Sequence, residues 1–156
     1  MKHIIIFAAA LLLGACNHNQ PDGPVSVEFQ HTGCGRYQDT KAADDYMNPQ
    51  LILEYTDGGL LITRTNAILN CSLVNGITCD LSVQDGVIRY HAYVTDGGIM
   101  KCLCPVERMT ALVSGLRENT EYALEYVCDG VYRPITFYYA KGLKATFDLS
   151  LYLENQ

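Results

Sequence analysis

Apolar and polar residues alternate with period two over most of the chain after residue 24, and this pattern constrains the fold more than any other feature. Val25, Val27 and Phe29 alternate with Ser26, Glu28 and Gln30. Ile77, Cys79, Leu81 and Val83 alternate with Thr78, Asp80, Ser82 and Gln84, and Phe147, Leu149, Leu151 and Leu153 with Asp148, Ser150 and Tyr152. Successive strand side chains point to opposite faces, so each run sets one face in a core and the other in water, the mark of antiparallel sheets. The pairs Asp57-Gly58, Asn75-Gly76, Asp85-Gly86, Asp96-Gly97 and Asp129-Gly130 separate such runs, and Gly supplies the positive φ that tight hairpins require. Turn signals spaced about ten residues apart indicate an all-β sandwich or barrel. Strands are expected at 25–32, 51–56, 59–66, 67–71, 77–84, 87–94, 106–114, 121–128, 131–139 and 145–153. The best helix candidate is 40–47, stopped before Pro49, and the remainder of 33–50 reads as a loop.

The N-terminus is of another kind. Lys2 and His3 precede ten apolar residues, Ile4 to Leu13, and the polar run Asn17-His18-Asn19-Gln20 follows soon after. That is the layout of a secretory signal, and it falls short of the roughly 20 residues of a membrane-spanning helix. Leu13-Gly14-Ala15-Cys16 resembles the lipobox of bacterial lipoproteins. The resemblance implies cleavage between Ala15 and Cys16 and a lipid on the Cys16 thiol, with the new amine acylated too. One acyl chain holds a protein marginally, whereas two or three make a stable anchor. In enterobacterial lipoproteins an aspartate after the cysteine retains the protein at the inner membrane. Asn17 stands here, so the expected location is the cell envelope, lipid-anchored, at the outer membrane.

Three segments follow: a lipoprotein signal peptide at 1–15, the lipidated cysteine and a polar linker at 16–24, and one β-sandwich domain at 25–156. The linker, Asn17 to Pro24, spans at most about 30 Å, which keeps the domain and its partners close to the membrane. The remaining 141 residues are one domain's worth and bury enough surface to fold without a cofactor. Cleavage removes Lys2 and no acid, moving the formal charge from −6 to −7. An acidic chain with no Lys/Arg cluster excludes a nucleic-acid partner and a basic patch for anionic lipids.

The stretch Thr110-Ala111-Leu112-Val113-Ser114-Gly115-Leu116-Arg117-Glu118-Asn119-Thr120-Glu121-Tyr122 narrows the architecture. It resembles the strand-to-strand crossing of fibronectin type III and immunoglobulin-like sandwiches. There a leucine ends one strand and a tyrosine six residues later opens the next, its hydroxyl tied back to the backbone. Leu116 and Tyr122 hold that spacing. Glu118 stands where the family has a proline, and the family's core Trp is absent. The implied fold is an antiparallel immunoglobulin/fibronectin III-like β-sandwich.

Six cysteines remain once Cys16 carries lipid: Cys34, Cys71, Cys79, Cys102, Cys104 and Cys128. An even number in an exported chain points to three disulfides stapling the sandwich. Cys102 and Cys104 are two apart in an extended segment, with Cα atoms nearly 7 Å apart, so they take different partners. The favoured pairing joins them to Cys71 and Cys79 and leaves Cys34 with Cys128. The Asn70-Cys71 and Cys102-Leu103-Cys104 arrangement loosely resembles small cysteine-rich lipoproteins of Bacteroides-type bacteria, a group with no assigned activity. The alternative chemistry is a copper or zinc site, or thiol exchange, at Cys102 and Cys104, with His31, near Cys34 in sequence, as the further candidate ligand, because Cys-x-Cys presents two soft thiolates on one face.

Catalytic groups are not gathered in the sequence. The mature chain has His18, His31 and His91, none in a Ser/His/Asp or Cys/His motif, and parity puts His91 on the solvated side of its strand. No nucleophile elbow, zincin motif or phosphate-binding glycine loop is present. Asp39, Asp44 and Asp45 with Tyr46 lack the EF-hand pattern and read as the wet side of the 40–47 turn. Eleven tyrosines divide by parity into core positions (Tyr90, Tyr122, Tyr126) and exposed ones (Tyr37, Tyr46, Tyr93, Tyr132), with Tyr138 and Tyr139 on opposite faces. A contiguous exposed patch would favour a sugar or protein ligand, and scatter is expected. The resulting expectation is a lipid-anchored, non-catalytic binding module without cofactor or metal. It would engage an envelope protein or a glycan through loops such as 33–50 or 95–101. A hydrolase inhibitor is a variant of this reading, and a minimal hydrolase ranks last.

Overall fold

A computed structural model describes residues 24–32, 48–70, 76–94, 103–128 and 131–150. Signal peptide, lipobox, most of the linker, the expected helix at 40–47, residues 33–47 of the candidate loop 33–50 and all of the candidate loop 95–101 lie outside them. Nine strands run through the described residues: β1 Ser26–His31, β2 Gln50–Thr56, β3 Gly59–Asn70, β4 Ile77–Gln84, β5 Val87–Val94, β6 Leu103–Ser114, β7 Thr120–Cys128, β8 Val131–Tyr139 and β9 Lys144–Asp148. They form a five-stranded sheet of order β1-β6-β3-β2-β9 and a four-stranded sheet of order β4-β5-β7-β8. The fold is all-β.

The inward faces meet in one core. Leu51, Leu53, Leu60, Ile62, Ala111 and Val113 of the larger sheet, with Ile88, Tyr90, Tyr122, Leu124, Tyr126 and Phe137 of the smaller, are all buried. Each such aliphatic side chain withdrawn from water contributes roughly 1.5–3 kcal/mol. The alternation of β5, β7 and β8 is the cleanest, and it places Tyr90, Tyr122 and Tyr126 inside, Tyr132 and Tyr138 outside, and Tyr139 inside. The edge strands are less covered than their sequences suggest. Val27 on β1 is 36% exposed, while Cys79, Leu81 and Val83 on β4 are half-buried because each edge strand has a neighbour on one side only.

Turn chemistry explains the register. Asp85 and Gly86 both take positive φ, 51° and 78°, the two-residue turn whose twist matches its flanking strands. At Asp57-Gly58 the positive φ moves one residue on, to Gly59 at 139°. A Cβ there would lie 2.2 Å from the Val113 carbonyl oxygen, so the β3–β6 approach demands glycine. Asn66, at φ 55°, sits inside β3, where the sequence suggests a break between two strands. Its carboxamide donates to the Asn48 carbonyl at 3.1 Å, and the buried positions switch parity from Leu60, Ile62 and Arg64 to Ala67 and Leu69.

The expected corner is present. The Arg117 backbone N–H donates to the Tyr122 hydroxyl at 2.9 Å, and Leu116 and Tyr122 are both buried. Glu118, in the proline's place, accepts a hydrogen bond from the Tyr55 hydroxyl. The expectation of purely antiparallel sheets requires correction. β5 and β7 pair in parallel, Val87 opposite Ala123 through Ala92 opposite Cys128. The chain leaves β5, crosses to the other sheet as β6 and returns through the corner, so β7 starts at the end where β5 started. Alternation of side chains encodes faces, not the direction of a neighbour.

Strand directions define two ends. At the proximal end lie Pro24, the 57–58 and 85–86 turns, the corner and the 140–143 turn. At the other, distal end β1, β3, β5 and β7 finish and β4, β6 and β8 begin.

Candidate functional site

The distal half brings together a polar cluster inside the core. Arg64 of β3 has inward parity with Leu60 and Ile62 and is 1% exposed. Facing it from the smaller sheet are Tyr90 of β5 and Tyr126 of β7, opposite each other in register and stacked at 5.1 Å. Cys79 lies beside Tyr90 and Cys128 beside Tyr126, yet neither phenol reaches an acceptor at hydrogen-bond geometry. Burial pushes the Cys79 thiol up to about 12. Burial also holds Tyr90 and Tyr126 well above the usual phenol range, with the Arg64 charge offsetting part of the effect. Cys79 and the two phenols stay protonated at neutral pH, and the Cys79 thiol is not nucleophilic there.

The cysteine expectations meet the structure at two positions. Cys79 and Cys128 form no disulfide, so the favoured pairings of Cys79 with Cys102 or Cys104, and of Cys128 with Cys34, are not made. Nor do the two suit each other. Both flank Ala92, on β4 and β7, two strand spacings or about 9.5 Å apart, beyond the roughly 4.4–6.8 Å that a disulfide spans. Cys34, Cys71 and Cys102 lie outside the described residues. The backbone of Cys104 pairs with Leu69 in the β3–β6 ladder. Ala15, Cys16, Asp39, Asp44, Asp45, Tyr37 and Tyr46 also lie outside. Among the described residues no group of three or more His, Cys, Asp and Glu side chains is placed to hold a metal ion.

The outer face of the smaller sheet carries the exposed aromatics. His91 is solvated, as its parity predicts, and its ring lies 4.9 Å from that of Tyr93. The Tyr93 hydroxyl donates to Asp80 at 2.9 Å, a bond that raises the phenol pKa. Asp80, His91, Val127 and Tyr132 form one cross-strand row. Tyr138 lies six residues along β8 from Tyr132, about 20 Å away, so among the described residues the exposed tyrosines do not form a single patch.

His31 ends β1, exposed, with its ring 6.0 Å from Phe29. With Gln30, Thr32, Arg108 and Thr110 it lines a shallow groove of about 310 Å³ at the β1–β6 edge. The fold thus separates His31 from the core thiols. No family model, curated protein or solved structure matches this chain. Sequence reasoning did not single out Arg64 or Arg108. Arg64 carries a readable signal, a charge at inward parity in an otherwise apolar strand face. Arg108 is marked only by register, which brings it beside Thr32 from 76 residues away.

Proposed function

We propose that this protein is a lipid-anchored module of the bacterial cell envelope, held through Cys16, that binds an envelope protein or a glycan without catalysing a reaction. The lipobox run Leu13 to Cys16 supports the anchor and the outer-membrane location. The observation that carries the binding reading is the separation of the two ends. Pro24, where the linker joins, packs its carbonyl against Gly115 at the proximal end. The strand ends His31, Asn70, Val94 and Cys128 and the strand starts Ile77, Leu103 and Val131 all lie at the distal end. A domain tethered at one end presents the other to partners, and loops on a rigid scaffold are where binding residues concentrate.

Kinship with fibronectin type III sandwiches belongs to the same proposal and rests on the Leu116–Tyr122 corner. So do disulfides among Cys34, Cys71, Cys102 and Cys104, since export exposes these thiols to an oxidising compartment.

Two measurements on intact cells test the proposal. Labelled palmitate is expected to enter the wild-type chain and not the Cys16→Ser variant. Cross-linking is expected to capture an envelope partner or glycan with the wild-type protein. A soluble, unlabelled wild-type chain retaining Met1 would overturn the anchor. Turnover of the captured ligand by the purified protein would overturn the non-catalytic reading.

A further inference from the structure

The groove at the β1–β6 edge differs in charge from the rest of the chain. Gln30, His31, Thr32, Arg108 and Thr110 line it, all polar and none acidic, in a chain of formal charge −6. Arg108 is exposed and takes part in neither of the ion pairs between described residues, Arg89–Glu125 and Lys144–Glu54. Its backbone is fixed from both sides. The Thr32 N–H donates to the Arg108 carbonyl at 3.0 Å, and the Arg108 N–H donates to the Thr32 hydroxyl oxygen at 3.1 Å. The wall that carries the guanidinium is therefore preformed, and a ligand need not order it.

Three properties select the ligand. A guanidinium offers parallel N–H donors whose fork matches a carboxylate. Gln30, His31 and Thr110 each both donate and accept hydrogen bonds, as sugar hydroxyls do, and the lining offers no apolar side chain. The volume is at the lower end of the roughly 300–1,000 Å³ of ligand pockets, so it admits one ring-sized unit. The groove also lies at the distal end of β1, with His31 about 17 Å along the strand from Ser26.

We propose that this groove binds the carboxylate of an acidic saccharide unit. Arg108 engages the carboxylate through both nitrogens, and Gln30, His31 and Thr110 hydrogen-bond the ring hydroxyls. The inference rests on the binding-module reading and names a ligand class for it.

The test is calorimetric titration of the full mature chain in non-ionic detergent with glucuronate, glucose, N-acetylglutamate and inorganic phosphate. Glucuronate is expected to bind saturably, to weaken as salt rises, and to exceed each of the other three probes by about tenfold or more. Arg108→Gln is expected to lower glucuronate affinity by about tenfold or more, the loss of one charge-assisted hydrogen-bonding group. Arg89→Gln, on the outer face of the other sheet, is expected to leave it unchanged. Equal glucuronate affinity in Arg108→Gln and wild type, or no saturable binding by glucuronate, would overturn the site. Tighter binding of N-acetylglutamate or phosphate would overturn the saccharide assignment. Capture of the same envelope partner by wild type and Arg108→Gln would leave the module reading intact while removing this groove from it.

Discussion

The backbone N–H of Arg117 donates to the hydroxyl of Tyr122 at 2.9 Å, closing the corner where the chain passes from one sheet to the other. Tyr122 is 1% exposed, stacks near Phe137 and meets Tyr139 edge-on, so its ring is core and its hydroxyl is a strut. Tyr122→Phe keeps the ring and strands the Arg117 donor. The expected loss is about 1–2 kcal/mol, read as a lower urea midpoint at unchanged m-value.

The same substitution in the distal cluster is expected to have the opposite sign. The Tyr126 hydroxyl is buried and makes no hydrogen bond. Removing an unsatisfied buried hydroxyl relieves its desolvation cost, so Tyr126→Phe should be neutral or stabilising by up to about 1 kcal/mol. A drop in urea midpoint comparable to that of Tyr122→Phe would show that the Tyr126 hydroxyl has a partner after all.

These two tyrosines also show what the sequence makes legible. Both have inward parity in β7, and parity alone places them in the core. The clean alternation beside an Asp-Gly pair locates β4 and β5 to the residue, and 131–139 likewise matches β8. Leu116 and Tyr122 reveal the corner because its hydrogen bond is local in sequence. The rest depends on relations between distant segments. Asn66 looks like a strand break, yet it is a single left-handed residue tolerated by a bond to Asn48. The parallel pairing of Ile88 with Leu124 depends on which sheet β6 joins, and no local pattern encodes that. Arg108 enters a groove only because β1 docks on β6 with His31 opposite Met109.

Gly59 has no room for a side chain. Its φ of 139° is paired with a Cβ direction aimed at the Val113 carbonyl oxygen, 2.2 Å away. An added methyl forces β3 and β6 apart as well as straining the backbone. Gly59→Ala is expected to cost more than about 3 kcal/mol. Gly142→Ala, at φ 87° with open space around it, should cost about 1 kcal/mol. Thermal melts of the two variants measured side by side check the ranking.

Cys79 and Cys128 are expected to resist alkylation in the folded protein. Cys128 is 1% exposed, and burial pushes Cys79 up to about 12, so little thiolate exists at pH 8. Iodoacetamide at pH 8 should leave both unmodified without denaturant and label both in urea without a reductant. Peptide mapping by mass spectrometry reads the outcome. Recovery of either cysteine in a disulfide-linked peptide from unreduced protein would contradict their thiol state.

Alkaline pH should unfold the domain through the same cluster. Cys79 is raised from 9.0 to about 12, and Tyr90 and Tyr126 are raised above 10.0, in each case chiefly by burial. The folded state thus holds protons that the unfolded state releases, and stability falls with pH wherever that difference exists. The contribution is fully present below about pH 9, where the unfolded thiol and phenols are still protonated. It declines from there as the unfolded groups ionise, and is lost as pH passes the folded value of about 12 for Cys79. Cys79→Ala removes the earliest of these groups to titrate, so its urea midpoint should fall less steeply than wild type between pH 9 and 10. Identical slopes for the two proteins in that interval would show that Cys79 ionises as readily folded as unfolded.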